Sequence, residues 1–250
     1  MKLYISINAT LHNYTDVCNE VIAAFNSNGF ETSMAPAIAE GYLPEERFTA
    51  ADSDAIVAIG GDGTFLRACR TAISCGRPIF GVNAGRLGAL CRYTCEEACT
   101  LTPEALVSCE PCPEPVFVVG GTSYLAVNDI IAAKDYFGSA VELEVSIDDH
   151  EPYSVRGDGV IIATPMGSTG YNISAGGPVL KDGGGIIVTP ICAHNGVKPC
   201  IVDAGSTIRI RQACPKYTAS VYGDGVRLCT LEDEISVRVS DRVLKRWKRN

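Results

Sequence analysis

Residues 55–67 constrain the fold more than any other part of the sequence. They spell Ala-Ile-Val-Ala-Ile-Gly-Gly-Asp-Gly-Thr-Phe-Leu-Arg, an apolar run that stops at glycines around one aspartate. The run is short, rich in β-branched residues and apolar on both faces, which predicts a buried strand of a parallel sheet. Residues 64–74 then carry apolar side chains at helical spacing. We therefore expect an open α/β sheet with this turn at its carboxyl edge, where such sheets bind ligands.

Asp62 is an unexpected residue in that turn. Free backbone N–H groups and the helix dipole favour an anion at a helix N-terminus, so phosphate is the usual ligand there and a carboxylate would repel it. Two chemical roles explain an aspartate: it removes a proton from a hydroxyl group, or it holds a cation that a phosphate also binds. The alternative is a tight Asp-Gly turn whose side chain caps the helix. The neighbouring glycines Gly61 and Gly63 leave no Cβ to block a ligand near the backbone.

A second glycine-bearing loop follows the next predicted strand. Residues 78–82 are apolar and continue into residues 83–90, Asn-Ala-Gly-Arg-Leu-Gly-Ala-Leu. Two parallel strands that both end in such loops bring the loops to the same edge of the sheet. Asn83 is then a candidate to bind a ligand phosphate or ribose. With a predicted strand over residues 2–8 and a helix over residues 16–28, the first part of the chain alternates between strands and helices.

The pattern changes between about Cys99 and Pro115, where prolines and a Cys-x-x-Cys interrupt it. Beyond this point short strand-like segments alternate with glycine-rich turns, which predicts a mainly β domain of sandwich or layered type. The predicted strands cover residues 115–119, 123–128, 141–147, 152–155, 160–163, 186–188, 207–211, 219–222 and 234–239. We therefore predict an α/β domain over residues 1–105, a β-rich domain over residues 106–235 and a terminal segment over residues 236–250 that packs back on the first domain.

Charge and hydropathy exclude several classes of protein. The 21 basic and 29 acidic residues give a net charge of −8, which disfavours a nucleic-acid or anionic-membrane surface. No apolar stretch reaches the length of a membrane span, and the amino terminus lacks the layout of a signal peptide. We therefore expect a cytoplasmic protein with neither a nucleic-acid nor a membrane partner. The basic tail over residues 242–250 is expected to be a surface-packed end with solvated charges rather than a binding arm.

Twelve cysteines without a signal peptide predict reduced thiols rather than a disulfide framework. Cys91, Cys95 and Cys99 fall four apart, and Cys109 and Cys112 form the Cys-x-x-Cys. A zinc site is the alternative, but no histidine lies nearby and prolines make the second pair irregular. We therefore expect small buried thiols and no metal held by the protein alone.

Asn128 and Asp129 place an amide beside a carboxylate at the end of a predicted strand. Together they supply hydrogen-bond donors and acceptors for a ribose or for the edge of a base. A simple turn is the alternative.

Residues 156–178 surround a strand with small hydroxyl residues and glycines, over a length that a turn does not require. Thr169 and Ser174 offer hydroxyl groups, Gly170 lets a flat ligand approach the backbone, and Tyr171 offers a face for stacking. This segment predicts a ligand-binding site, with a glycine-rich structural loop as the alternative.

Four motifs in this order resemble the NAD kinase family in its compact bacterial-type form. They are Gly-Gly-Asp-Gly-Thr at residues 60–64, Asn-Ala-Gly-Arg-Leu-Gly at 83–88, Asn-Asp at 128–129, and the block from residue 157 through Gly-Ser-Thr-Gly-Tyr to Ser-Ala-Gly-Gly-Pro at 174–178. The first motif is shared with lipid kinases, whereas the last block is highly specific. The resemblance covers roughly residues 55–224.

The resemblance implies a Rossmann-like α/β domain followed by a mainly β domain, with an NAD site between them. It implies transfer of the γ-phosphate of ATP, or of another donor such as polyphosphate, to the 2′-hydroxyl of the adenosine ribose of NAD. The product is NADP. Mg²⁺ is expected to bind with the ATP phosphates, and a homodimer or homotetramer is expected, in which a neighbouring subunit contributes part of the site.

The resemblance also implies roles for individual residues. Asp62 corresponds to the general base on the 2′-hydroxyl, and Asn128 and Asp129 hold ribose and adenine. The other substrate-binding residues are Gly63, Arg67, Asn83, Arg156, Asp158, Thr169, Gly170, Tyr171, Asn172 and Ser174. The sequence departs from the family pattern at Ala89, Asp129, Gly170 and Val226, where Phe, Glu, Ala and Gln are common.

Two other functions stay open at this point. A lipid or sphingoid kinase shares the Asp62 turn, but it needs an apolar slot for its acceptor, which the polar Gly-Ser-Thr-Gly-Tyr segment disfavours. A noncatalytic NAD(P)-binding sensor would need no Asp62.

Overall fold

The computed structural model describes residues 1–7, 15–34, 47–85, 88–120, 122–136, 138–181, 184–214 and 217–247. The chain divides into two units. The first comprises Met1–Pro113 together with the segment from Leu244 onward, and the second comprises Glu114–Val243. The boundaries therefore fall at residues 113/114 and 243/244, against 105/106 and 235/236 in the prediction.

The first unit contains parallel strands and helices in alternation. They are β1 (Lys2–Ile7), α1 (Thr15–Ser27), β2 (Glu31–Met34), β3 (Ala55–Gly60), α2 (Asp62–Cys75), β4 (Ile79–Asn83), β5 (Tyr93–Thr94), α3 (Cys95–Ala98) and α4 (Pro103–Val107). The sheet has the order β2-β1-β3-β4, and each of these pairs is parallel. This unit is the predicted α/β domain.

Strand β3 and helix α2 follow from the sequence pattern. Ala55 to Ile59 are almost completely buried, because β3 lies between β1 and β4 and is covered on both faces. Helix α2 buries Phe65 and Ile73 on one side. It ends at Gly76, which has a φ of +65° and donates its N–H to carbonyls of the last turn, as left-handed C-cap glycines do.

The carboxyl-terminal segment completes the core of the first unit. Trp247 packs edge-on against Phe80 of β4, with ring centroids 6.2 Å apart, and its indole Nε1–H donates to the carbonyl oxygen of Cys109 at 2.6 Å. Leu244 and Arg246 are also buried. The expectation that the charges of the basic tail are solvated is therefore wrong at Arg246, because alternate residues of a strand face the core, while Lys245 stays exposed.

The expectation of buried thiols holds for only some of the cysteines: Cys18, Cys69 and Cys91 are buried, whereas Cys112 and Cys192 are exposed. No disulfide joins any of the twelve, all of which lie in the described ranges. Cys18 packs in the core of the first unit, with Cys95 and Cys99 against it. Burial raises the pKa of Cys18 to about 11 and that of Cys91 to about 12, so both thiols stay protonated at neutral pH. Among the described residues, no group of three or more His, Cys, Asp or Glu side chains is arranged to hold a metal ion.

The second unit is built almost entirely from antiparallel strands. They are β6 (Cys112–Val119), β7 (Leu125–Ala126), β8 (Asp129–Lys134), β9 (Val141–Ile147), β10 (Tyr153–Gly157), β11 (Gly159–Ala163), β12 (Ile186–Ile191), β13 (Cys200–Val202), β14 (Ile208–Gln212), β15 (Ala219–Gly223), β16 (Val226–Thr230) and β17 (Glu234–Arg246). The single-turn helix α5 (Tyr171–Ser174) follows a 3-10 turn over Gly167–Thr169.

Two layers of strands enclose the core of the second unit. One is a six-stranded sheet of order β13-β12-β11-β8-β15-β16, and the other contains β10-β9-β14-β17 with β6 and β7. Apolar side chains from both layers, such as Ile130 and Val160 of the first and Leu143 and Ile210 of the second, form one cluster. The prediction of a mainly β, layered second domain is confirmed. None of the described helices is long and apolar enough to cross a membrane.

Candidate active site

Asp62 is the first residue of α2, and only Gly61 separates it from the end of β3. The turn is held by backbone bonds, because the N–H groups of Thr64 and Phe65 both donate to the carbonyl of Gly61. The Asp62 side chain is half-buried, whereas Gly63 and Arg67 on the first turns of α2 are exposed. The turn thus presents a carboxylate at the N-terminus of a 14-residue helix.

The Asp62 carboxylate binds the loop that follows β4. Oδ2 accepts the N–H of Ala89 at 2.9 Å, and Oδ1 accepts the N–H of Leu90 at 2.9 Å and that of Cys91 at 3.4 Å. These bonds tie the two glycine-bearing loops together, as expected for loops at one edge of a parallel sheet. A carboxylate has about four acceptor sites, so Asp62 keeps capacity to accept a proton or to bind a cation.

Asn83, the last residue of β4, converges with Asp62 on Gly88. A Cβ built on Gly88 would lie 3.2 Å from Asn83 Nδ2 and 3.2 Å from Asp62 Oδ1, so only a glycine fits without a shift of these side chains. Asn83 Oδ1 itself accepts the N–H of Gly85 at 2.9 Å. A cavity of about 480 Å³ opens beside them, lined by Asn83, Gly88, Ala89, Cys91, Arg92, Tyr93 and Thr94. Residues 86 and 87 of this loop lie outside the described residues.

In the second unit, Asn128 immediately precedes β8 and Asp129 is its first residue, so the expectation that they stand at the end of a strand over residues 123–128 is wrong. Asn128 Oδ1 is buried and has no hydrogen-bond partner within the described protein. Such an atom costs free energy unless something binds it, so it marks a place for a ligand donor. Asp129 is only 6% exposed, and burial together with the charge of Asp224 raises the pKa of its carboxyl to about 7.

Asp224 also contacts this turn, which could not be predicted from the sequence. Its carboxylate accepts the backbone N–H groups of Val127, Asn128 and Asp129. The only sequence signal for this residue was a third Gly-Asp-Gly, at residues 223–225. Its flanking residues do not resemble those of the other two copies.

Arg156 and Asp158 lie at the junction of β10 and β11. Arg156 is exposed on β10. Asp158 Oδ1 lies 2.6 Å from Lys134 Nζ, and the Asp158 carbonyl accepts the Lys134 N–H at 3.0 Å. Lys134 is the last residue of β8 and was not singled out by the sequence, because nothing in the local pattern places it opposite Asp158.

Helix α5 and the turn before it present the remaining predicted residues. Thr169, Tyr171 and Ser174 are exposed, with Tyr171 at 47%. A Cβ built on Gly170 would lie 3.6 Å from Asn128 Nδ2, so the structure brings this segment next to Asn128.

Asn172 differs from its neighbours because it is completely buried. Its Nδ2 donates to the carbonyls of Ser168 at 3.0 Å and Pro178 at 2.9 Å, and its Oδ1 accepts the Thr189 hydroxyl at 2.6 Å. The amide therefore fixes the shape of the segment from inside.

The fold and these motifs define a class, the kinases that combine an α/β unit bearing a Gly-Asp-Gly turn with a β-rich unit. Comparison with known proteins identifies the family. Residues 27–108 match the model of the ATP-NAD kinase N-terminal domain, and residues 127–248 match that of the ATP-NAD kinase C-terminal domain. The chain therefore belongs to the NAD kinase family, and it is a phosphotransferase with NAD kinase function.

Individual relatives agree with this assignment. An NAD kinase from Magnetococcus marinus is 34% identical over 205 residues, which cover 77% of this chain and 67% of the relative. One from Syntrophotalea carbinolica is 33% identical over 245 residues, which cover 90% and 85%. The crystal structure of an NAD kinase from Archaeoglobus fulgidus in complex with ATP superposes with a TM-score of 0.80 at 26% identity, covering 99% of this chain and 94% of that one. Nothing in these comparisons favours a lipid kinase or a noncatalytic sensor.

Proposed function

We propose that Asp62 is the general base of the reaction. The 2′-oxygen of the adenosine ribose forms a bond to the γ-phosphorus of ATP while the bond from that phosphorus to the β,γ-bridging oxygen breaks. The hydroxyl proton passes to the Asp62 carboxylate, and the products are NADP and ADP. In such a loose transition state positioning and charge neutralisation dominate, and the base adds to them.

The observation that supports this role is how the Asp62 carboxylate is held. Two well-formed N–H bonds from Ala89 and Leu90 fix both oxygens, while the side chain stays half-exposed. A general base must lie within about 3 Å of the proton it takes, so a fixed and accessible carboxylate suits the task.

For the adenosine half of NAD, we assign Asn128 and Asp129. The unpartnered Oδ1 of Asn128 is an acceptor that fits the exocyclic amino group of adenine. The Asp129 carboxylate, when deprotonated, accepts from a ribose hydroxyl. Gly170 lies beside Asn128 and leaves room for the base.

The other predicted residues take supporting roles in this proposal. Gly63, Arg67 and Asn83 border the phosphates, since Arg67 is an exposed cation on the helix that Asp62 begins. Arg156, Asp158, Thr169, Tyr171 and Ser174 line the rest of the dinucleotide site. Asn172 positions the segment without touching substrate, because its amide is bonded to protein groups on all sides.

Mg²⁺ is proposed to enter with the phosphates of ATP. This ion prefers oxygen ligands and usually keeps several waters, so the phosphates of the nucleotide are its main ligands in this proposal. When bound, it neutralises charge on the transferring phosphoryl group. We further propose a cytoplasmic homodimer or homotetramer, in line with Tyr171 and Ile173 leaving 47% and 50% of their surface exposed on α5.

A coupled assay tests the proposed function. Purified protein is incubated with NAD, ATP and Mg²⁺, and NADP is detected with an NADP-specific dehydrogenase. We expect NADP to form only when all three are present, and removal of Mg²⁺ with EDTA should stop the reaction. Phosphorylation of a sphingoid base without formation of NADP would refute the proposal.

A further inference from the structure

We propose that Asp224 is a positioning residue for NAD: it fixes the backbone of the Asn128–Asp129 turn, and its charge acts on the Asp129 carboxylate. The inference rests on the proposed function, because it concerns the two residues assigned to adenosine. Asp224 itself is not proposed to touch the substrate.

The hairpin between β15 and β16 determines where Asp224 lies. Gly223 pairs with Val226, so Asp224 and Gly225 form a two-residue turn. Their φ angles are +47° and +77°, the combination of a type I′ turn, in which Asp-Gly is a favoured pair. The carboxylate is therefore held by a tight turn rather than by a mobile loop.

The Asp224 carboxylate accepts three consecutive backbone N–H groups. Val127 N lies 2.9 Å from Oδ2, Asn128 N lies 2.8 Å from Oδ1, and Asp129 N lies 3.3 Å from Oδ1. In return the Asp224 N–H donates to the Asp129 carbonyl at 3.1 Å. Consecutive N–H groups that point to one anion form a concave site of the kind that binds anions in many proteins. Here a side chain of the same chain occupies it.

Thr164 holds the same turn from its carbonyl side. Its hydroxyl donates to the carbonyl of Val127 at 2.6 Å, and its N–H donates to that of Asn128 at 2.9 Å. The backbone groups of the turn are thus used by Thr164 and Asp224, while the side-chain Oδ1 of Asn128 has no partner among the residues that the structure describes. Fixing the backbone in this way holds the Asn128 amide ready for a ligand, which reduces the ordering cost of binding.

The two carboxylates also interact through their charges. Asp129 is opposite Ala163 of β11 on one side and faces Asp224 of the hairpin on the other. The nearby Tyr124 hydroxyl donates to the carbonyl of Gly223 at 2.7 Å. Asp224 is the charged group that acts on Asp129 among the described residues, and with burial it raises the pKa of Asp129.

The sign of the pH effect follows from this arrangement. If deprotonated Asp129 accepts a ribose hydroxyl, affinity for NAD rises as pH increases through the pKa of Asp129, which lies at about 7. Removal of the Asp224 charge lowers that pKa, so the midpoint of the pH dependence moves to lower pH. A residue that only holds the fold together would not move this midpoint.

Asp224→Asn is the appropriate variant. Asn-Gly favours the type I′ turn as strongly as Asp-Gly does, so the hairpin should survive while the charge and one acceptor are lost. Asp148→Asn is the matched control, because Asp148 also has a positive φ, +54°, and accepts a backbone N–H, from Thr207 at 2.8 Å. Asp224→Gly, which tolerates the same backbone and removes both oxygens, is the second variant.

Calorimetric titration of NAD at several pH values gives the first measurement. At pH 8 we expect Asp224→Asn to bind NAD about tenfold more weakly than the wild type, and Asp224→Gly more weakly still. The deficit of Asp224→Asn should shrink as pH falls, because its own midpoint is lower. The KM for ATP should stay unchanged, and Asp148→Asn should behave as the wild type. Equal NAD affinities of folded wild type and Asp224→Asn at every pH would overturn the proposal.

A second measurement needs no ligand. The ¹³C carboxyl resonance of Asp129 is titrated in the ligand-free wild type, Asp224→Asn and Asp148→Asn. A lower midpoint in Asp224→Asn alone supports the proposal, and the same midpoint in all three proteins refutes it. If the wild type fails to bind NAD at all, the proposed function is wrong and the binding role of Asp224 falls with it, but this titration still decides whether the two carboxylates interact.

Discussion

Gly-Asp-Gly at residues 61–63 and Gly-Asp-Gly at residues 157–159 are identical in sequence and different in structure. The first follows the parallel strand β3 and begins helix α2. The second joins two strands, β10 and β11. The neighbouring elements, not the tripeptide, decide which structure forms.

The glycines of the two copies serve different needs. A Cβ on Gly61 or Gly63 would meet nothing within 4 Å, so packing does not require glycine at either position. The space beside the backbone is open to a ligand. A Cβ on Gly157 would lie 2.7 Å from the Cys192 carbonyl oxygen, and one on Gly159 only 2.3 Å from that of Ala132. Gly159 also has a φ of +156°. In the second copy the strands themselves demand glycine.

The aspartates differ in the same way. Asp62 is held by the backbone N–H groups of Ala89 and Leu90, whereas Asp158 forms an ion pair with Lys134. The first carboxylate is thus fixed by neutral backbone donors, and the second is paired with a cation. The comparison agrees with the proposed role of Asp62 as the base, and it gives the glycines of the second copy a role in packing.

The largest effect is expected for Asp62→Asn. Loss of the base should lower turnover about 10²- to 10⁴-fold, because Asn retains the shape but cannot take the proton. NAD affinity, measured by calorimetry, should change little. Asp54→Asn is the control, since Asp54 also accepts a backbone N–H in the first unit, from Lys2 at 2.7 Å. Turnover near that of the wild type in Asp62→Asn would show that Asp62 is not the base.

Replacement of these glycines by alanine tests whether packing requires them. Gly159→Ala should destabilise the protein by about 3 kcal/mol, since its Cβ collides with backbone and its φ is unfavourable for alanine. Gly63→Ala should stay within about 0.5 kcal/mol of the wild type, because its Cβ points into open space. Urea unfolding followed by circular dichroism measures both, and similar losses in the two variants would contradict the contrast in packing.

The smallest effect is expected at the ion pair of the second copy. Lys134→Met should cost no more than about 1 kcal/mol of stability, since the Lys134 and Asp158 side chains are 17% and 37% exposed and solvent screens the pair. The loss should diminish at high salt. The exposed Lys198, replaced in the same way, serves as the control. A loss above about 2 kcal/mol would show that the pair is a buried anchor.

The first unit could be predicted from the sequence because its signals are local. The apolar run of residues 55–59 became β3, the helical spacing of residues 64–74 became α2, and residues 78–82 became β4, each within two residues. An apolar strand followed by a glycine turn and a helical pattern is compatible with few folds other than an open α/β sheet.

Most strands of the second unit could also be predicted, but its side-chain contacts could not, because they join distant residues. Asp224 accepts a hydrogen bond from Val127, which lies 97 positions earlier in the sequence, and no periodicity predicts that bond. Strand β17 was predicted over residues 234–239 but continues to Arg246, because polar residues in its exposed middle conceal the strand pattern. Asn172 looked like its exposed neighbours, and only the structure shows its amide bonded inside.

Trp247 makes the first unit complete its core only at the end of translation. Phe80 is made early, but the indole that packs on it leaves the ribosome only after the entire sequence of the second unit. The unit that begins the chain therefore cannot close its core until the inserted unit has been made. Because the contact spans most of the chain, its loop-closure entropy is smaller if the second unit has already become compact. The unit that is translated first thus completes its folding last, and the second unit has time to fold before the first unit is complete.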